Sequence, residues 1–90
     1  MTKKYELRYS KRAAKELKKL DKYTARMIYA WIDKNLADCE NPRAFGKELV
    51  GDKAGTWRYR IGNYRLICQI YDDELVILAL AIGHRKEIYR

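Results

Sequence analysis

Residues 57–68 read WRYRIGNYRLIC, so that large apolar side chains alternate with arginines on both sides of a Gly-Asn pair, up to Leu66. Alternation with a period of two is typical of strands with one buried face, and a Gly-Asn pair forms a two-residue hairpin loop. With Gly62-Asn63 as that loop, Arg60 lies opposite Arg65, and directly opposed residues project from the same face. The hairpin is therefore expected to have an apolar face and a basic face. The basic face would carry Arg58, Arg60 and Arg65.

Upstream of the hairpin the sequence predicts one strand and two helices. Alternation over residues 3–9 predicts a half-buried strand. Ser10 and Asp21 are residue types that cap helix N-termini, and apolar residues follow each of them at helical spacing. For the second helix, the predicted buried stripe consists of Tyr23, Met27, Ala30, Trp31 and Lys34, widened by Ile28, Ile32 and Leu36. The two helices are expected to be antiparallel, with a tight turn between them.

Downstream of the hairpin, residues 75–82 are apolar at every position, which predicts an interior strand covered on both faces. A three-residue turn over 72–74 would pair Tyr71 with Leu75. That register places Ala79, Ala81, Gly83 and Arg85 on the basic face. A loop longer or shorter by one residue would turn this strand over, because side chains alternate between faces.

These elements predict an α+β fold in one domain, residues 1–90. An N-terminal strand precedes two antiparallel helices, which pack on one face of a small, mainly antiparallel sheet of about four strands. Residues 42–55 contain glycines and mixed charges and are expected to be irregular, with a short strand near residues 47–50.

Composition narrows the choice of partners. The 90 residues carry a net charge of +8, which favours polyanions. No apolar run is long enough to cross a bilayer and no secretory signal is apparent, so the protein is expected in the cytoplasm and away from membranes. Cys39 and Cys68 are far apart and form no CxxC motif, so we expect reduced cysteines and no metal site.

The arginines on the hairpin are candidates for binding phosphate, since guanidinium groups suit bidentate contacts with it. Arg60 opposite Arg65 is unfavourable for stability. Each arginine could instead pair with a local carboxylate, but residues 56–71 contain no Asp or Glu. The lysines could contact RNA backbone or simply form solvated surfaces. The candidate RNA-binding lysines are Lys11, Lys15, Lys18, Lys19, Lys22, Lys47 and Lys53.

The hairpin, the acidic turn, the apolar strand and residues 83–89, GHRKEIY, resemble the RelE branch of the RelE/ParE toxin superfamily. The resemblance implies a RelE-like microbial ribonuclease fold and a type II toxin that cleaves mRNA in the ribosomal decoding site. It also implies two partners: the ribosome, with its mRNA and 16S rRNA, and a labile, DNA-binding, RelB-like antitoxin. No cofactor or metal is implied.

By the same resemblance, Arg58, Arg60 and Arg65 would bind phosphate, Arg85 would stabilise the transition state, and Tyr89 would stack on a base. Well-known members have lysines where this chain has Arg58 and Arg60. Arginine keeps its proton and is a poor base. Because histidine exchanges protons near neutral pH, His84 is a candidate base or acid, or else a histidine that merely packs at a strand end.

Two other functions fit the same sequence. A ParE-like toxin shares the fold but is associated with poisoning of DNA gyrase. A non-catalytic RNA-binding module is the second alternative, because no residue here is an unambiguous general base.

Overall fold

The computed structural model describes residues 3–49 and 55–86 and confirms the predicted α+β class. Two helices pack on one face of a five-stranded sheet, one strand more than expected. The additional strand is the short one predicted in the irregular connection. The elements are β1 (Glu6–Tyr9), α1 (Lys11–Lys18), α2 (Lys22–Asn35), β2 (Lys47–Glu48), β3 (Trp57–Ile61), β4 (Tyr64–Tyr71) and β5 (Val76–His84).

The strands lie in the order β1-β5-β4-β3-β2, so the apolar strand β5 is interior, as predicted. β1 runs parallel to β5, and the other neighbouring pairs among the described strands are antiparallel. The β3–β4 hairpin has the predicted register, with Ile61 opposite Tyr64 and Arg60 opposite Arg65. Its apolar face, including Tyr59 and Leu66, packs under the helices. There it forms part of the main core, the cluster of buried residues that also includes Leu17, Ile32 and Ile77.

Both helices begin at the predicted caps. The Ser10 hydroxyl accepts a hydrogen bond from the Ala13 amide at 3.0 Å and donates one to the Leu80 carbonyl at 3.0 Å. Asp21 accepts from the Thr24 amide at 3.1 Å. Ser10 therefore both starts α1 and fastens it to β5. No helix in the described parts of the chain is long and apolar enough to span a membrane.

Replacing Ser10 by alanine is expected to destabilise the protein by about 1–2 kcal/mol, because the helix loses its cap and the Leu80 carbonyl loses a donor. The free energy of unfolding in urea measures this effect. Ser10→Thr keeps the hydroxyl and serves as the control, with a loss of less than about 0.5 kcal/mol. Equal stability of Ser10→Ala and the parent would contradict the assigned role.

The predicted buried stripe of α2 is wrong in part. The helix turns Ile28, Ile32 and Leu36 into the core, where each is 0% exposed. Tyr23 is 78% exposed and Met27 37%, and Ala30 and Lys34 are also exposed. Trp31 lies at the edge of the core. Apolar residues occur around most of this helix, so the sequence defined no single face, and the row of branched aliphatic residues packs against the sheet.

The predicted β4–β5 register is also wrong. Tyr71 pairs with Val76, because Leu75 extends the turn to four residues and adopts a left-handed conformation with φ of 56°. A second irregularity between Ile67 and Cys68 shifts the register again. Together the two shifts return residues 81–84 to the faces that were predicted. Each of these residues, however, pairs with a β4 residue two positions away from the predicted one.

As a result, Gly83 takes the place opposite Arg65 that the prediction gave to Ala81. Ala81, now opposite Ile67, and Gly83 keep the basic face of the sheet, as predicted. Ala79 is instead buried in the main core, opposite Cys68. Both cysteines are free thiols, as predicted, and burial raises the pKa of Cys68 above its usual range.

Candidate functional site

Three arginines from the β3–β4 hairpin line one concavity of about 290 Å³, which we term the arginine groove. Arg60 lies opposite Arg65 in the hairpin, and Arg58 lies opposite Lys47 of β2. The groove opens on the face of the sheet opposite the helices, because the intervening residues of β3 point into the main core. Its lining residues are Gly46, Lys47, Arg58, Arg60 and Arg65.

Backbone carbonyls orient one of these guanidinium groups. Arg65 Nη1 donates to the Tyr64 carbonyl at 3.1 Å and to the Gly62 carbonyl at 3.3 Å. Arg60 is exposed, and no ion pair within residues 3–49 and 55–86 involves it. Paired guanidinium groups and an ammonium group in one trough can bind a phosphodiester.

Lys47 is the one candidate lysine that lines the groove in the described part of the chain. The sequence placed it in a broad basic set, and only its pairing with Arg58 separates it from the others. The other described candidate lysines are exposed along α1, in the turn after it and at the start of α2. These are Lys11, Lys15, Lys18, Lys19 and Lys22. Lys53 lies outside the described residues.

Arg85 and His84, the described C-terminal members of the predicted site, do not line the groove. Arg85 follows β5 in an exposed turn, where its amide donates to the Asn63 carbonyl at 2.8 Å, and it does not line the groove. His84 pairs with Tyr64 on the opposite face, with ring centroids 5.6 Å apart. This geometry gives no support to His84 as the base of the arginine groove. Tyr89 lies outside the described residues.

Gly46 forms the wall of the groove, and sequence reasoning did not single it out. Its φ is +80°, and an added Cβ would lie 2.2 Å from the Arg58 carbonyl oxygen. The neighbouring segment is fastened to β3 by two hydrogen bonds. Trp57 Nε1 donates to the Phe45 carbonyl at 2.6 Å, and the Tyr59 hydroxyl donates to the Pro42 carbonyl at 2.5 Å. This close approach brings Lys47 beside Arg58.

An ion pair fastens the same segment to the β4–β5 turn. Arg43 donates to both carboxylate oxygens of Asp72, at 2.9 and 3.0 Å, and the Tyr5 hydroxyl donates to Asp72 at 2.7 Å. The Arg43 guanidinium also lies 5.9 Å from the ring centroid of Trp57. Hydrogen bonds from Arg43 and then Tyr5 lower the pKa of Asp72, and the hydrogen bond to Asp72 is the main cause of a raised pKa at Tyr5.

This ion pair predicts a specific acid sensitivity. Because the pKa of Asp72 is lower in the folded protein than its ordinary value of 3.8, the ion pair stabilises the fold above that value. The stabilisation disappears as the pH falls through the depressed pKa. Urea unfolding at about pH 5 and about pH 2 should therefore show a smaller acid-induced loss for Asp72→Asn than for the parent. Asp73→Asn, in the same turn, is the control, and identical losses in all three proteins would contradict the prediction.

Comparison with known proteins places this chain in a family. The profile of the family described as "ParE toxin of type II toxin-antitoxin system, parDE" matches residues 7–89. Toxin RelG of Mycobacterium tuberculosis is 33% identical over 87 residues, covering 96% of this chain and 97% of that protein. A putative RelE-like toxin protein of Escherichia coli is 30% identical over 83 residues, covering 91% and 84%.

Solved structures of RelE-type toxins are also similar to this chain. The M. tuberculosis RelBE2 toxin–antitoxin complex contains a chain that superposes with a TM-score of 0.76 at 30% identity, covering 97% of this chain and 98% of that one. Isolated E. coli RelE superposes with a TM-score of 0.72 at 27% identity, covering 94% and 90%. This chain therefore belongs to the ParE toxin family of type II toxin–antitoxin systems and is a RelE-like toxin of the RelE/ParE superfamily.

Proposed function

We propose that this toxin is a ribosome-dependent endoribonuclease that cleaves mRNA in the decoding site and so inhibits translation. The observation that carries the proposal is the arginine groove, in which three guanidinium groups and Lys47 face one concavity. Fixed cations of this kind stabilise the negative charge that develops on a phosphate during RNA cleavage.

The proposed chemistry needs no metal. The 2′-hydroxyl of a nucleotide attacks the adjacent phosphorus, the 5′-oxygen of the next nucleotide leaves, and a cyclic phosphate remains. Arg58, Arg60 and Arg65 hold the phosphate. Arg85 lies outside the groove lining, in the turn beside Asn63, and from there its side chain is proposed to stabilise charge in the transition state or on the leaving oxygen. Tyr89 stacks on a base to align the attack.

The attacking hydroxyl must lose a proton, and arginine is a poor acceptor for it. Apart from the three arginines, Lys47 is the one titratable side chain among the described residues that line the groove, which makes it the candidate base there. His84 is the weaker candidate, because it lies on the other face with Tyr64.

The proposed partners follow from charge and from the family. The exposed lysines of α1 suit contacts with 16S rRNA, because lysines neutralise phosphates without reading sequence. Relatives form complexes with antitoxins, as in M. tuberculosis RelBE2 and the archaeal RelE–RelB complex of Pyrococcus horikoshii. A labile, DNA-binding, RelB-like antitoxin with an acidic or amphipathic segment would bind the basic surface in the cytoplasm.

Mapping message ends in cells after brief expression tests the proposal. Cuts within codons on translated messages, absent when translation is blocked beforehand, are the expected result. An early block of DNA replication without such cuts would favour a gyrase-poisoning toxin, which the ParE description of the family keeps as the second candidate. Bound but uncut message would favour a non-catalytic RNA-binding module.

A further inference from the structure

A second concavity, of about 270 Å³, lies on the helix side of the sheet between α1 and the ends of β4 and β5. We term it the helix-side pocket. Arg12 and Lys19 contribute cations to its lining, and Tyr64 and His84 contribute aromatic rings. Of its lining residues, only His84 has been considered for the cleavage reaction, as the weaker candidate base.

The acidic residue of the pocket is engaged in holding the fold together. Glu16 accepts a hydrogen bond from the Ile82 amide at 3.0 Å and lies 3.5 Å from Arg12 Nε. Lys19 is exposed, and none of the ion pairs within the described residues includes it. The pocket therefore presents the Lys19 ammonium group to a ligand, while Glu16 is held against β5 and offsets part of the charge of Arg12.

The two rings stand edge-on at the wall of the pocket, with centroids 5.6 Å apart and planes at 77°. Both residues are only partly buried. Aromatic rings beside cations are the combination with which proteins bind single-stranded nucleic acid, since the rings stack on bases and the cations hold phosphates. An acidic peptide would use the cations but would leave the rings without a comparable partner.

The pocket and the arginine groove lie back to back. Neighbouring residues along a strand point to opposite faces, so Tyr64 points to the pocket side where Arg65 points to the groove. Both sites adjoin the end of the sheet at the Gly62-Asn63 turn. A single RNA strand that passes around this end can contact both sites with nearby nucleotides.

We propose that the helix-side pocket binds a nucleotide of single-stranded RNA, with its base against Tyr64 and His84 and its phosphate at Lys19 and Arg12. This inference rests on the proposed RNA substrate and adds a second contact next to the cleaved bond.

His84 is the only histidine in the sequence, so its imidazole C–H signals in a proton NMR spectrum are unambiguous. Titration of the full chain with adenosine 5′-monophosphate at fixed pH should shift these signals saturably. Lys19→Glu should weaken the binding about fivefold or more, because it replaces a phosphate-binding cation with an anion. Lys34→Glu, at an exposed lysine on α2, is the matched control and should leave the binding constant within about twofold.

Three results would overturn the inference. They are the absence of a saturable shift, an equal effect of inorganic phosphate alone, and tighter binding of a glutamate-rich peptide that produces the same shift. Message cleavage by the same preparations separates the two proposals. Cleavage without a shift of the His84 signals would contradict only the proposed nucleotide binding in the helix-side pocket. A shift without cleavage would contradict only the proposed nuclease activity.

Discussion

Arg60→Ala is expected to lower the rate of message cleavage on programmed ribosomes by about 100-fold or more, because one preorganised charge in such a site contributes roughly this much. The fold should remain intact, since Arg60 is exposed and its neighbour across the hairpin is another arginine. Removing the like-charge pair should raise stability slightly, by some tenths of a kcal/mol up to about 1 kcal/mol. Cleavage rate and urea midpoint, measured on one preparation, check both expectations.

Arg26→Ala is the matched control, because Arg26 is an exposed arginine of α2 that does not line the groove. Its cleavage rate should stay within about twofold of the parent. Parent-like cleavage by Arg60→Ala, together with a lower urea midpoint, would assign this arginine to stability instead of chemistry.

Gly46→Ala is expected to lower the free energy of unfolding strongly, because the added methyl group meets both an unfavourable backbone conformation and a close neighbour. A left-handed conformation costs an L-residue about 1–2 kcal/mol, and forcing a methyl group into packed structure costs about 1–3 kcal/mol more. The clash would be with the backbone of β3, at the Arg58 carbonyl, which cannot swing away as a side chain can. Urea unfolding should therefore show a loss of about 2–5 kcal/mol.

Gly55→Ala separates the two contributions. Gly55 also has a positive φ, of +92°, but an added Cβ would meet no atom of the described residues within 4 Å. Gly55→Ala should therefore lower the free energy of unfolding only by the conformational cost, which is about 1–2 kcal/mol. Equal losses at the two glycines would mean that contact with Arg58 contributes nothing.

Local sequence determined the part of the site that could be predicted. Gly62-Asn63 fixes the register of the hairpin within a few residues of the arginines, so the shared face of Arg58, Arg60 and Arg65 follows from the turn alone. The N-termini of both helices could be predicted in the same way, from the capping residues Ser10 and Asp21.

The register of β5 could not be predicted, because it depends on packing as well as on the turn. Leu75 packs against the main core and takes a left-handed conformation, which lengthens the loop. The irregularity at Cys68 then moves every residue beyond it. Because side chains alternate between the two faces of a strand, one residue added in the turn or in the strand turns over the residues that follow it. For this reason Ala79 is in the core and not on the basic face.

The wall of the groove was missed for a different reason. Gly46 approaches β3 through contacts between residues distant in sequence, such as Tyr59 with Pro42 and Arg43 with Asp72. No short pattern signals such contacts. The face of α2 was also set by its neighbours, since the helix has apolar residues on several sides and the sheet accepts the row of Ile28, Ile32 and Leu36.

The most direct test of the central claim is a cryo-EM structure of the toxin on a ribosome whose message carries 2′-O-methyl groups that block the attack. We predict that the phosphate at the blocked position lies within hydrogen-bonding distance of at least two of the guanidinium groups of Arg58, Arg60 and Arg65. A bound message whose phosphates contact only the helices, with the arginine groove empty, would contradict the account.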